Sequence, residues 1–371
     1  MDLYQEFGLR RVINAYDKAT TLGGARVPAA IADVVAAGLP EPFELAGLQD
    51  AAGRAIAEAT GAEWGCVTNC AAAALSLGVA ASMTGLDMGR VGQLPDTSEI
   101  PHRVIIQKGH CISFGAPVVQ MLRLTGADVV EVGHANGCRA WQIEHALTQG
   151  QVAAIVAVES YHTVDYNGVK LPELVEIAGS AGVPLVVDAA TQELRLRDLV
   201  ALGPSLVSCS AQKYFSSTTA GIVAGRKDLV QAVDLQHSGI GRGMKPSKEG
   251  ILGVLAALRL ADSGDVAAWS RREAAKIEMI VRRLGVLPGV GTSVSPDPNG
   301  CPFVRARIEI DPAITGHSAD SLRRALVSGE PAIYVRVYNS AEDVIYINAT
   351  EMTEEEAGVV CERIEAAVGQ G

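Results

Sequence analysis

Aromatic residues make up only 4% of this 371-residue chain, so its core must be built from Ala, Val, Leu and Ile. No CxxC pair occurs. The seven cysteines stand singly at Cys66, Cys70, Cys111, Cys138, Cys209, Cys301 and Cys361. That pattern indicates neither a disulfide framework nor a zinc ribbon, and no metal site is expected. Small buried thiols in a reducing, cytoplasmic compartment fit it best. Positive charge is also in deficit: 31 basic residues face 42 acidic ones, a net charge of −11. A nucleic-acid backbone or an anionic membrane would be repelled by that average field. No apolar run approaches the roughly 18–20 residues that span a bilayer. Asp2, Glu6, Arg10 and Arg11 break up the opening segment, which does not read as a secretory signal. No internal repeat or low-complexity tract is visible.

What remains is a globular composition, 48% hydrophobic and 20% charged, too long for one minimal domain. Its 39 glycines suit many tight turns between strands and helices. Short Val/Ile-rich runs alternate with longer Ala/Leu-rich ones. Strands are predicted at 65–68, 103–107, 128–132, 153–158, 184–188, 206–208 and 221–224. Helices are predicted at 48–60, 71–84, 115–125, 142–149, 171–181 and 194–202. The alternation implies an α/β fold with a mostly parallel sheet, helices on both faces, and ligands at the carboxyl ends of the strands. The expected organisation is an N-terminal arm at 1–45, a large domain at 46–247, and a connector helix (248–263) with a small α+β domain making up 248–371.

Three features follow predicted strands. Thr68-Asn69-Cys70-Ala71 leads directly into an apolar helix, whose free N–H groups and dipole suit a phosphate; a plain cap by Thr68 or Asn69 is the alternative. Asp188 ends the apolar run Val186-Val187, where a carboxylate needs a partner or caps the next helix. Lys213 stands in Ser210-Ala211-Gln212-Lys213, ahead of Ser216, Ser217, Thr218 and Thr219. Together they describe a pyridoxal 5'-phosphate site. Lys213 makes the Schiff base, Asp188 pairs with the pyridinium nitrogen, and the helix start with Ser210 receives the phosphate. Gly239-Ile240-Gly241-Arg242-Gly243 lacks the spacing of a dinucleotide fingerprint and follows no predicted strand.

Lys213 and Asp188 in these contexts resemble fold-type-I pyridoxal phosphate enzymes, the aspartate aminotransferase-like fold. Further stretches narrow the resemblance: Gly8 to Ala15, Leu48 to Gly53, Thr60 to Glu63, Gly109-His110, Leu124 to Asp128 and Gly243 to Glu249. This set resembles the selenocysteine synthase (seryl-tRNA selenium transferase) family, and its short ammonia-lyase-like members in particular. The resemblance implies a place near the cofactor ring for His110, as a stacking or proton-transfer group; a histidine satisfied within its loop is the alternative. Two departures stand out. Asn69-Cys70-Ala71 replaces the commoner Ser-Gly-Ala, and Ser216 to Thr219 stands where Gly-Gly-Pro-Gln is usual.

Arg242, on its glycine-rich loop, and Arg336, in an alternating run, are candidates for a substrate anion; a solvated loop and an exposed strand arginine are the plainer readings. The expected function is a lyase removing water and ammonia from a small hydroxy amino acid or amino sugar acid to give a 2-oxo acid. A racemase or epimerase, and a non-catalytic binding module on the same fold, are the alternatives. Selenium transfer to tRNA is disfavoured by the charge and by the lack of room, in Met1 to Gly8, for the extra tRNA-binding domain the resemblance would require. No nucleic acid or membrane partner is expected, and the fold implies a homodimer or larger homo-oligomer.

Overall fold

The computed structural model describes residues 2–164 and 166–369. The chain forms two compact units, one of residues 27–263 and one of residues 1–26 with 264–371. Both boundaries differ from the expected ones, for reasons of packing. The expected arm is divided: Val12–Asn14 pairs in parallel with Ala332–Tyr334, whereas the Ala29–Gly38 helix packs on the Lys248–Ser263 helix. That latter helix is no connector. It buries Ile251, Val254 and Leu258 in the core of the larger unit.

The larger unit is built on a seven-stranded sheet. In spatial order its strands are Trp64–Thr68, Gly221–Gly225, Leu206–Ser210, Leu185–Asp188, Val152–Val158, Arg103–Gln107 and Asp128–Val132. Only Gly221–Gly225 runs antiparallel to its neighbours. Successive strand residues enter opposite cores, as the two-residue period requires. Val187, Val207 and Ile222 join one cluster with Ile56, Leu174 and Leu199; Val186, Leu206 and Val223 join the other with Leu75, Leu122 and Val233. Burial on both faces explains why these strands read as continuous apolar runs.

Trp64–Thr68 is an edge strand, and a side chain covers its ladder. Gln49 accepts the Val67 N–H at 3.2 Å and donates to the Val67 carbonyl at 2.7 Å, taking the place of a further strand. The Ala71–Thr84 helix, which follows that strand, is buried nearly all round. Its small residues permit close approach: a Cβ on Gly78 would stand 3.2 Å from Val186.

In the other unit, Val344–Ile347, Val304–Ile310 and Val290–Pro296 form a three-stranded antiparallel sheet. The Val266–Leu284, Ala319–Ser328 and Glu354–Val368 helices bury Ile277, Ile280, Leu322 and Ile364 with Ile308 and Ile345 in one core. Among the described residues, no helix is long and apolar enough to cross a membrane.

Candidate active site

The sheet register aligns the candidate residues along one edge. Thr68 lies opposite Gly221, Gly221 opposite Ser210, Ser208 opposite Asp188, and Asp188 opposite Val158. At about 4.8 Å per strand, Thr68 and Ser210 stand roughly 10 Å apart on either side of Gly221. Only glycine fits there: a Cβ on Gly221 would come within 2.4 Å of the Cys70 carbonyl oxygen and 2.5 Å of Thr68 Oγ1.

At the strand-to-helix turn, the Thr68 hydroxyl donates to the Cys70 carbonyl at 3.0 Å, and the Asn69 N–H donates to Met244 O at 3.0 Å. Neither residue caps the helix. Cys70 does, its Sγ accepting the Ala73 N–H at 3.5 Å. A helix leaves its first-turn N–H groups without internal partners, here those of Ala71 and Ala72 beside the capped Ala73. They make an anion-binding mouth at the positive end of a 14-residue helix. The Asn69–Met244 bond also ties the Arg242 loop to this mouth, and Arg242 itself is exposed.

Asp188 ends its strand as a buried carboxylate, 4% exposed, and does not cap a helix. Burial pushes its carboxyl up to about 6, against the opposing pull of the Lys213 charge and the Ala190 N–H. Its Oδ1 has no hydrogen-bond partner. A buried acceptor left open in this way calls for a donor from a ligand. Lys213 is half-buried in the turn that follows Ser210. Ala211 N–H bonds Ala220 O at 2.9 Å, Ser216 N–H bonds Lys213 O at 3.1 Å, and Ser217 N–H bonds Ala211 O at 3.0 Å. Ser216 closes the turn in the left-handed region, at φ +53°.

A further residue fixes this turn. Glu193, 2% exposed, accepts the Tyr214 N–H at 3.1 Å through Oε1, next to Lys213. Nothing in the local sequence singles it out, because its partner lies 21 positions away. His110 is 4% exposed, and its Nδ1 accepts the Val158 N–H at 2.9 Å. A backbone amide can only donate, so Nδ1 is the acceptor and the ring proton sits on Nε2.

One edge of the larger unit thus gathers Thr68, Asn69, Cys70, Ala71, His110, Asp188, Ser210 and Lys213. A model of the L-seryl-tRNA selenium transferase family matches residues 49–270, the stretch that contains all of them. The chain belongs to this family. It is similar to D-glucosaminate-6-phosphate ammonia lyase of Salmonella typhimurium, with 32% identity over 98% of this chain and 97% of that protein. A solved structure of D-glucosaminate-6-phosphate ammonia-lyase superimposes with a TM-score of 0.91 and 32% identity, covering 100% of this chain and 99% of the other. It is also similar to a 5'-C-glycyluridine monooxygenase-decarboxylase of Streptomyces sp, 36% identical over 90% of this chain and 84% of that protein. An alanine–glyoxylate aminotransferase from Nostoc sp. shares the fold at a TM-score of 0.61 and 16% identity, covering 96% and 95% of the two chains. The family is one of enzymes, and the expected aspartate aminotransferase-like fold is the one observed.

Arg336 belongs to the smaller unit and is not the exposed strand arginine of the plainer reading. Its side chain is 11% exposed. The guanidinium lies 4.3 Å from the centre of the Tyr16 ring, donates to the Tyr338 hydroxyl at 3.1 Å, and stands 3.7 Å from an Asp17 carboxylate oxygen. Asp17, 319 positions earlier, was not legible as its partner.

Proposed function

We propose that this family member is a pyridoxal phosphate-dependent lyase that converts a small hydroxy amino acid or amino sugar acid into a 2-oxo acid and ammonia. The observation that carries the cofactor assignment is the open acceptor of Asp188, buried in the same strand-end row as the helix mouth and the lysine turn. Asp188 would hold a protonated ring nitrogen through that open acceptor, the N–H groups of Ala71 and Ala72 with Ser210 would hold a phosphate, and Lys213 would take the aldehyde. Thr68, Asn69 and Cys70 build the mouth. When bound, the coenzyme withdraws electrons from the substrate's α-carbon and makes its proton removable.

Within this assignment, Lys213 Nζ takes the α-proton. Asp188 keeps the ring nitrogen protonated. His110 presents an Nε2–H donor, fixed in orientation by Val158. Arg242, on the loop tied to the helix mouth, is the proposed partner of a substrate anion; in support, guanidinium binds carboxylate through two parallel hydrogen bonds. Loss of the β-hydroxyl as water leaves an enamine, and its hydrolysis releases ammonia and the 2-oxo acid. The full-length likeness to an ammonia lyase supports this reaction over others open to the same coenzyme. The racemase alternative needs a second group that both takes and gives a proton, and His110, with Nδ1 committed to an amide, is poorly suited to accept one. The likeness to the glycyluridine enzyme favours a second reading, oxidative decarboxylation of an amino acid joined to a nucleoside.

We also propose a homodimer or larger homo-oligomer, in the cytoplasm, with a small molecule rather than RNA as the ligand. The net charge of −11 supports the last point. The deciding experiment incubates the purified protein with D-glucosaminate 6-phosphate and with hydroxy amino acids, and measures 2-oxo acid and ammonia. Release from one of them is expected. Oxygen consumption with carbon dioxide release, and no ammonia from these substrates, would overturn the lyase in favour of the second reading.

A further inference from the structure

The peptide that joins Lys213 to Tyr214 is held at both of its polar groups. Its carbonyl, that of Lys213, accepts the Ser216 N–H at 3.1 Å, and its N–H, that of Tyr214, donates to Glu193 Oε1 at 3.1 Å. A planar unit gripped at oxygen and nitrogen cannot rotate freely, so the backbone dihedral that aims the Lys213 side chain is constrained. Glu193 is 2% exposed, and carboxylates are rarely buried so deeply. It comes from the segment that begins at Asp188, and that segment is bonded twice to the strand leading to Lys213. Ala189 N–H bonds Ser208 O at 2.8 Å, and Ser210 N–H bonds Ala190 O at 3.2 Å. A turn closed by the Gln192 N–H on Ala189 O, at 2.9 Å, then delivers Glu193 at the start of a short 3-10 helix. Cys209 lies between the two bonded positions. Burial, with the charges of Glu193 and Asp188, pushes its thiol up against the pull of Lys213, so all three charges reach one buried residue.

We propose that Glu193 is a positioning residue: through the Tyr214 N–H it aims Lys213 at the coenzyme aldehyde. This rests on the pyridoxal phosphate reading. Asp188 would fix the ring nitrogen, Glu193 fixes the peptide that carries the lysine, and the bonded segment between them sets the one against the other. Glu193 touches neither coenzyme nor substrate. The step it serves is a condensation. The Lys213 amine adds to the aldehyde carbon, a C–N double bond replaces the C–O double bond, and the oxygen leaves as water with the two amine protons. Nothing is oxidised or reduced. Attack on a carbonyl is directional, so a misaimed lysine slows the step although the amine is still present. The oxygen is what matters in this role. Glutamine keeps an acceptor oxygen at the same reach without the charge, whereas aspartate keeps the charge one methylene short of the amide.

The test mixes coenzyme-free full-length protein with saturating pyridoxal phosphate and follows the rise of visible absorbance, with borohydride trapping and peptide mapping at the end. Glu193→Ala and Glu193→Asp should form the band at least about tenfold more slowly than the wild type, and Glu193→Gln should restore the rate to within about threefold. Urea unfolding of each coenzyme-free variant supplies the folded fraction, to which the rates are referred. A purely structural role would lower the unfolding midpoint and leave the rate per folded molecule unchanged, so E193D at the wild-type rate overturns the proposal. E193Q as slow as E193D also overturns it, by assigning the effect to the charge. One measurement needs no variant: the Tyr214 amide hydrogen of the coenzyme-free wild type should exchange slowly with solvent, and exchange at the rate of an unfolded chain overturns the proposal. Trapping in the wild type separates the two levels. No label at Lys213 defeats the cofactor reading itself, whereas a label there with E193D unslowed defeats only the role of Glu193.

Discussion

Asp188 should cost the coenzyme-free protein stability in return for its hold on the ring nitrogen, and Asp188→Asn exposes that trade. The carboxyl is raised from its ordinary 3.8 to about 6 by burial. The group is fully buried, and each tenfold change in proton affinity is 1.36 kcal/mol, so ionising it in the fold costs about 3 kcal/mol relative to the unfolded chain. The sign follows from proton counting. Between about pH 4 and pH 6 the folded protein holds a proton that the unfolded chain has lost, so stability falls as pH rises through that window and levels off above it. Asparagine cannot ionise. Coenzyme-free D188N should therefore exceed the wild type in stability by up to about 3 kcal/mol at pH 8, with the difference closing towards pH 4. Urea unfolding of both proteins at several pH values reads it directly. With pyridoxal phosphate present the order should invert, because the variant loses the pairing to the ring. A coenzyme-free D188N that is less stable than the wild type at pH 8, or a difference that does not change with pH, would refute the account of Asp188 as a carboxylate whose ionisation is opposed by burial.

Lys213→Ala should abolish the visible absorbance of the loaded protein and the borohydride-trapped label, while the melting temperature of coenzyme-free protein changes little; a label at another lysine would reassign the site. Gly221→Ala places a Cβ 2.4 Å from the Cys70 carbonyl oxygen, so it should weaken coenzyme binding at least tenfold and cost about 1–3 kcal/mol, read by titration and urea unfolding. His110→Phe keeps a ring but strands the buried Val158 N–H, and should destabilise the fold by ~1–3 kcal/mol even without coenzyme. An unchanged midpoint would mean that water or another group replaces the imidazole nitrogen.

The larger unit was legible because its strands are covered on both faces. Continuous Val/Ile runs mark them, and the predicted segments match those observed to within two residues. The elements that escaped lack that signal. Val290–Pro296 alternates only weakly, with Gly291, Thr292, Ser293 and Ser295 between its apolar residues, because it packs on one face at a sheet edge. Val12–Asn14 is three residues long, and its pairing with Ala332–Tyr334 is set by a contact some 320 positions distant. No local period encodes such a partner, and so the expected arm was drawn as one piece although its two halves belong to different units.

The same distinction orders the site. Lys213 and Asp188 could be found because a charge at the end of an apolar strand is costly unless it has a use. Residue type alone could not say which side chain caps the following helix. Thr68 and Asn69 are the better cap residues by preference, yet the turn directs the Thr68 hydroxyl to the Cys70 carbonyl and leaves the Ala73 N–H to a thiol. Sulfur accepts a hydrogen bond more weakly than a hydroxyl does, so helix stability is a poor reason for a cysteine at this position. The departure from the usual cap preference stands at the mouth of the proposed phosphate site, on a partly exposed thiol whose sulfur still takes up the Ala73 N–H.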